Sequence, residues 1–186
     1  MSKDITTQCS WGNTKFDKDY HDTRWCKPVH DDDELFAMLC LEGMQAGLSW
    51  TVILKKEQAI RDAFRGLTPK SVINLTDADL DALKENPDII RHKLKLKAVV
   101  ANGQAFMKVQ DEFGSFDNYI WRFTNYKTIV NHPKAMTDIA VQSELSDRIS
   151  KDLKKRGFKF VGPVIIYSYL QAIGILNDHL DMGPYK

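Results

Sequence analysis

Apolar residues recur along most of the chain at helical rather than strand spacing, and polar punctuation falls where helices begin and end. Asp31, Asp32, Asp33 and Glu34 put negative charge at a helix start, and Leu35, Phe36, Met38, Leu39 and Leu41 follow. This predicts a helix from about residue 31 to Gly43, buried on most faces. After the break AGLS, Ser49 is placed to cap an amphipathic helix. That helix has Trp50, Ile53, Leu54, Ile60 and Phe64 inward, Lys55, Lys56, Arg61 and Arg65 on its wet side, and ends near Gly66. Thr68 before Pro69, and Thr76 with Asp79 three residues on, predict two short helices. The run Lys93 to Lys97 alternates like a strand. However, Leu94, Ala98, Ala101, Ala105, Val109 and Phe113 continue at helical spacing, so a long helix over about 92–113 is expected. Phe116, Tyr119, Ile120 and Phe123 make a further turn or two, while Thr124 to Gln142 has no clear period and reads as the one long loop. The first thirty or so residues show no helical periodicity.

The last third is more specific. Ser143 is placed to cap a helix carrying Leu145, Ile149 and Leu153, which closes with Lys154, Lys155 and Arg156 before Gly157. Phe158 to Val161 is too short for anything but a hairpin, and Gly162 and Pro163 open another helix, Val164 to Ile173. Such a hairpin, GFKFVGP, can direct backbone N–H groups at a phosphate, because its glycine allows close approach and the next helix offers its positive end. The same segment also reads as an ordinary helix–helix connection with two apolar anchors.

With 186 residues, 43% of them hydrophobic, the chain can bury one sizeable core. Lys plus Arg total 26 and Asp plus Glu 25, a net charge of +1, so any nucleic-acid surface must be local. The longest apolar stretch, Val161 to Leu176, is cut by Gly162, Pro163, Ser168 and Gln171, so no membrane span or membrane partner is expected. The amino end has no secretion-type apolar segment, which leaves a cytoplasmic location as the expectation. Cys9, Cys26 and Cys40 are an odd number without CxxC spacing, which favours reduced thiols or metal ligands over disulfides.

Three constellations could carry chemistry. Glu42 lies in LCLEGMQAGLSW, where nearly every neighbour is apolar. A carboxylate there needs a partner or a purpose, either an arginine or backbone turn, or a ligand at the floor of a pocket. Trp50, with Trp11, Trp25, Phe16 and Tyr20 if they gather in space, offers stacking faces for a planar ring, although each aromatic also suits a core. Cys9 and His21 near the start and His179 near the finish suit Zn²⁺, which would tie the two ends together. The alternative is a half-buried thiol and two surface histidines.

The blocks Leu35–Lys56, Tyr20–Trp25 (YHDTRW), Ile89–Lys95 (IIRHKLK) and Leu153–His179 together closely resemble the bacterial DNA-3-methyladenine glycosylase I family, over nearly the whole chain. The resemblance implies an all-α, helix-hairpin-helix DNA glycosylase fold with a small lobe formed by the two termini. On that basis residues 1–30 plus 177–186 form a zinc-type terminal lobe on a helical body of residues 31–176. It implies hydrolytic removal of 3-methyladenine from alkylated double-stranded DNA by a monomer, without strand cleavage. Glu42 would bind the excised purine, Trp50 would stack on it, and Tyr20, Trp11, Trp25 and Phe16 would complete the pocket. Phe158, Lys159, Phe160, Val161 and Gly162 would grip phosphate, and Gln45, Gly47 and Leu48 belong to the expected wedge that fills the gap left in the duplex. Cys9, His21 and His179 would hold zinc. The family's fourth ligand is a cysteine, but Gly183 stands near that place, which leaves Asp181, Cys26 or a water as its substitute. Met44, Arg24 and Cys26 also replace residues usual in the family. A non-catalytic relative that binds damaged DNA is the alternative from another class, and a zinc-dependent hydrolase is a third.

Overall fold

The computed structural model of the chain describes residues 14–181. In it the expected helical architecture is realised. The helices are α1 (Lys15–Thr23), α2 (Asp32–Gln45), α3 (Trp50–Ala63), α4 (Pro69–Val72), α5 (Asp77–Leu83), α6 (Lys93–Phe113), α7 (Phe116–Trp121), α8 (Glu144–Lys155) and α9 (Pro163–Ala172). Helix α2 is the axis of the body. Every residue from Leu35 to Met44 is buried, as expected of a helix apolar all round, and α3, α6, α7 and α9 pack around it. Asp31 caps its start by accepting from the Glu34 N–H at 2.9 Å. Asp32 reaches across to accept the Phe116 and Asp117 N–H groups of α7, each at 2.8 Å, so one carboxylate serves two helix starts. Among the described residues, no helix is long and apolar enough to cross a membrane.

Three features differ from the sequence expectation. Helix α1 occupies a segment in which no helix was expected, because KFDKDYHDT has only Phe16 and Tyr20 to mark a face. Its start is held by a reciprocal capping box between Thr14 and Asp17. The stretch 124–142 is not wholly irregular. Ile129–Val130 (β1) pairs in parallel with Leu176–Asn177 (β2), and Met136–Asp138 forms a 3₁₀ turn. Two-residue strands leave no periodicity in a sequence, since only tertiary pairing makes them. Ser49 stands at the start of α3, yet its side chain makes no capping bond.

Helices α8 and α9 form the expected helix-hairpin-helix. Helix α8 closes with a Schellman arrangement: the Phe158 N–H donates to the Leu153 carbonyl at 3.1 Å, the Gly157 N–H donates to that of Lys154 at 3.0 Å, and Gly157 takes φ +97°. Phe158 and Val161 point into the core. The hairpin backbone is bracketed by the buried Asn102 of α6, which accepts from the Lys159 N–H at 2.7 Å and donates to the Lys159 carbonyl at 3.1 Å. The Ser150 hydroxyl donates to the Val161 carbonyl at 2.6 Å. Phe160 is held at φ +54°, a conformation costly for a bulky residue, by these surrounding bonds.

Replacing Asn102 by Ala strips both bonds from the hairpin at once. The expected result is a loss of about 1–3 kcal/mol of stability, the usual cost of leaving buried polar groups unpaired, together with weaker duplex binding. Urea unfolding and a DNA titration check the two effects separately.

Candidate base-binding site

Beside α2 the structure holds a cavity of about 180 Å³. It is smaller than the roughly 300–1,000 Å³ of sites for drug-sized ligands and suited to one nucleobase. Tyr20 comes from α1, Trp25 from the turn after it, Glu42 and Gln45 from α2, and Trp50 from the first residue of α3. Ser168 and Gln171 come from α9, and Met136 and Ile139 from the connection before α8. The Tyr20 and Trp50 rings meet at 5.3 Å between centroids with their planes tilted by 58°.

Glu42 is 3% exposed, and its Oε2 has no hydrogen-bond partner. Burial pushes its pKa up to about 8. No arginine or backbone turn takes it, so the purely structural explanation open from sequence fails. Trp50 Nε1 is likewise buried without a partner. An unused acceptor and an unused donor among the residues of one cavity mark a place where a ligand completes the hydrogen bonding. Burial, followed by the field of Glu42, holds the Tyr20 hydroxyl firmly protonated.

Polar clamps fix the α1–α3 wall. The Thr51 hydroxyl donates to Asp17 at 2.7 Å. Arg24 grips Glu57 with both terminal nitrogens, at 2.8 and 2.9 Å, while its guanidinium lies 5.3 Å from the centre of the Tyr20 ring. Arg61 joins Glu57 and Glu34, completing a half-buried network. Arg24, a departure from the family pattern, is thus compensated by acids on α2 and α3.

Among the other residues singled out from sequence, Gln45 lines the cavity. Phe16 is 51% exposed and is not among the lining residues, because it sits on the first, outward turn of α1. Trp11 and Cys9 lie outside the described residues. Gly47 at φ +78° and Leu48, 40% exposed, form a projecting turn after α2. Lysine 95, unmarked in the sequence reading, secures that turn: its buried ammonium donates to the Met44 and Ala46 carbonyls at 2.8 and 2.6 Å, at the negative end of α2. The signal for it was a polar pair on the inward face of α6, Lys95 and Asn102, seven residues apart. Of the hairpin residues, Lys159 is exposed and Phe160 and Gly162 half-buried, whereas Phe158 and Val161 present only backbone. Met136 and Ile139 are pocket residues that nothing local distinguishes from loop, whereas Ser168 and Gln171 stood out in the sequence only as polar breaks in the apolar stretch Val161–Leu176.

His21 and His179 meet ring to ring, 4.9 Å between centroids, and both contact Trp25, at 5.3 and 4.8 Å. His21 Nδ1 bonds the Asp22 carboxylate at 2.8 Å and His179 Nδ1 bonds the Asn177 side-chain oxygen at 2.9 Å. Among the described residues there is no group of three or more His, Cys, Asp or Glu placed to hold a metal. Two of the suggested fourth ligands are engaged elsewhere. Asp181 bonds His132 at 2.9 Å, and the buried Cys26, its thiol pushed up by burial, accepts from the Asp178 N–H at 3.5 Å.

A helix-hairpin-helix beside an aromatic pocket that holds a buried carboxylate is the architecture of a base-excising DNA glycosylase. The model of the methyladenine glycosylase family matches residues 11–185. The chain is 42% identical to the DNA-3-methyladenine glycosylase of Haemophilus influenzae over 98% of its length and 99% of that protein. It is 40% identical to DNA-3-methyladenine glycosylase 1 of Escherichia coli, over 87% and 86% of the two chains. Its fold superimposes on 3-methyladenine DNA glycosylase I of Staphylococcus aureus with a TM-score of 0.93 at 36% identity, covering 97% of this chain and 96% of that one. The chain belongs to the methyladenine glycosylase family.

The raised pKa of Glu42 has a consequence for stability. Between about pH 4.5, where an ordinary glutamate titrates, and about 8, the folded protein holds a proton that the unfolded chain has released. Stability from this group therefore falls as pH rises through that window. Glu42→Gln is expected to be more stable than the wild type at pH 8.5 and nearly equal to it at pH 4.5. Unfolding midpoints of the two proteins across that range check this; a difference independent of pH would contradict it.

Proposed function

We propose that the chain is a monofunctional DNA glycosylase that flips 3-methyladenine out of alkylated double-stranded DNA and hydrolyses its N-glycosidic bond. The observation that carries this reading is the buried Glu42 carboxylate, with Oε2 unpartnered, in the wall of a base-sized aromatic cavity. The Staphylococcus aureus relative is known for 3-methyladenine recognition. An adenine alkylated at N3 in DNA carries positive charge, so its entry beside Glu42 favours the ionised carboxylate, and stacking against Trp50 and Tyr20 selects a planar ring. The non-catalytic alternative gains nothing from this pocket, which retains both the acid and the aromatic walls.

The chemistry asks little of the protein beyond binding. Extrusion costs a few kcal/mol, on the order usual for base flipping, and least for a damaged base. The Leu48 turn, braced by Lys95, would fill the gap, and the hairpin would hold the backbone through Lys159 and main-chain N–H groups. The C1′–N9 bond breaks with its electron pair going to the purine, which neutralises the cation. Water adds to C1′ and its proton passes to solvent. No acid lies between Gly162 and Gly174, and an N3-alkylated base already leaves as a neutral purine, so general-acid assistance is not required. Among the described residues no lysine lines the cavity, so strand cleavage through an imine is not part of the reaction proposed. The protein would act as a monomer in the cytoplasm.

Release of free 3-methyladenine from methylated duplex, without nicking, is the expected result for the wild type. Glu42→Gln and Trp50→Ala should each lower it roughly ten- to a hundredfold, the effect of losing a charge-assisted bond or a stacking face. Undiminished release by Glu42→Gln would sink the assignment of that residue.

We further infer a zinc ion held by Cys9, His21 and His179. The two rings lie together, and the bond at each Nδ1 fixes Nε2 as the ligating nitrogen, the usual arrangement behind a metal-bound imidazole. When bound, the ion would cross-link the chain's two ends as a terminal lobe behind Trp25. Elemental analysis should find about one zinc per chain and little in His179→Ala. Zinc-free wild-type protein would overturn this.

A further inference from the structure

The base cavity has a larger neighbour, a cleft of about 450 Å³ between the β1–β2 pair and the start of α8. Its walls include Ile129, Pro133, Ala140, Leu145 and Leu176. Among the described residues, Ile139 is the one that lines both spaces. At a second point they adjoin through a buried polar pair: Gln171, of the base cavity, donates to Asp178, of the cleft, at 2.7 Å. That pair is tied down, since Asp178 also accepts from the Tyr167 hydroxyl at 2.8 Å and from Asn131 at 2.5 Å. Ile139 is packed only by apolar contact, at the end of the Met136–Asp138 turn. That turn is stiffened where Asp138 accepts the Lys134 and Ala135 N–H groups at 3.0 and 2.9 Å. Among the described residues the partition is therefore a single apolar side chain on a turn held by Asp138, with a largely apolar space behind it.

We propose that Ile139 is a specificity-determining residue that sets the upper size of the excised base, and that the cleft behind it is a latent subsite for the alkyl substituent of purines bulkier than 3-methyladenine. The inference rests on the glycosylase reading above and adds to it the residue that bounds the substrate range. An extra methylene against a filled apolar wall changes selectivity by about tenfold or more, and removing the wall opens the space into which that methylene would go.

The test measures single-turnover release of 3-methyladenine and 3-propyladenine from methylated and propylated duplex DNA by the wild type, Ile139→Val and Ile139→Ala. Binding of the two free bases, followed by tryptophan quenching, gives a readout independent of turnover. The propyl-to-methyl ratio is expected to rise in the order wild type, Val, Ala, by about tenfold or more at Ala, in both release and binding. Because a ratio cancels general loss of folded protein, and the Val variant removes only one methylene, a damaged fold cannot mimic the trend. A ratio unchanged across the three proteins, or a wild type that already accepts the propyl base as readily as the methyl one, would overturn the partition while leaving the glycosylase reading in place. A wild type that releases neither base would overturn both.

Discussion

A buried carboxylate without a protein counter-ion is the constraint around which this molecule is arranged. Glu42 lies on the Leu35–Met44 stretch of α2, which is buried throughout, and its side chain, 3% exposed, faces the cavity beside that helix. Burying such a group is unfavourable unless it is protonated or paired, and here it is left without a partner at Oε2 and with its pKa pushed up to about 8. A helix placed only for stability would carry an apolar residue at this position. In the proposed function this penalty would be relieved when a cationic, donor-bearing base enters, so that stability is exchanged for affinity toward that base.

The same helix joins the pocket to the hairpin. A Cβ on Gly43 would stand 3.2 Å from the Phe160 Cβ and 3.4 Å from the Phe160 carbonyl oxygen, so glycine lets the hairpin rest closely on α2, and a larger residue would push it out by a few tenths of an ångström. Asn102 fixes the hairpin from the other side, and Lys95, two helical turns earlier on α6, fixes the turn that follows α2. One long helix thus sets the relative positions of the hairpin, a projecting turn and the aromatic cavity. Flipping chemistry requires that rigidity, because a displacement of an ångström or so in the reacting sugar costs much of the rate.

The outer wall is held differently. Helix α1 has too few apolar positions to be anchored by its own burial, and it is fixed by Asp17 to Thr51, by Arg24 to Glu57, and by Trp25, which stacks on His21 and meets His179 edge-on. At the chain's other end the Cys26 N–H donates to the Gln171 carbonyl and the Val29 N–H to that of Ile173. The described parts of the two terminal segments therefore meet behind the pocket. Gly174, at φ +75°, lets them close, since a Cβ there would lie 2.3 Å from the Lys27 carbonyl carbon. The polar character of these contacts leaves the wall adjustable by substitution, as Arg24 with its acids on α2 and α3 illustrates.

Helices α2, α3, α6, α8 and α9 were legible in the sequence because each is long enough to show a period and carries its own start and stop signals. Glu42 and Trp50 stood out for a related reason: an acid in an apolar helix and a tryptophan at a helix start are anomalies that need no neighbour to be noticed. The resemblance of whole blocks to one glycosylase family extended those two residues to a complete pocket. Helix α1, the β1–β2 pair and the Met136–Ile139 wall were not read from the sequence, because their local signals, a Thr14–Asp17 box and an Asp138 turn, are short and carry no apolar period, and the strand pair exists only through partners distant in the chain. The helical body and its buried acid were thus set by periodicity and burial preference, which are local. Which side chains close the pocket around that acid, that Phe16 stays outside it, and that Ile139 divides it from a second space were decided only when remote segments packed together.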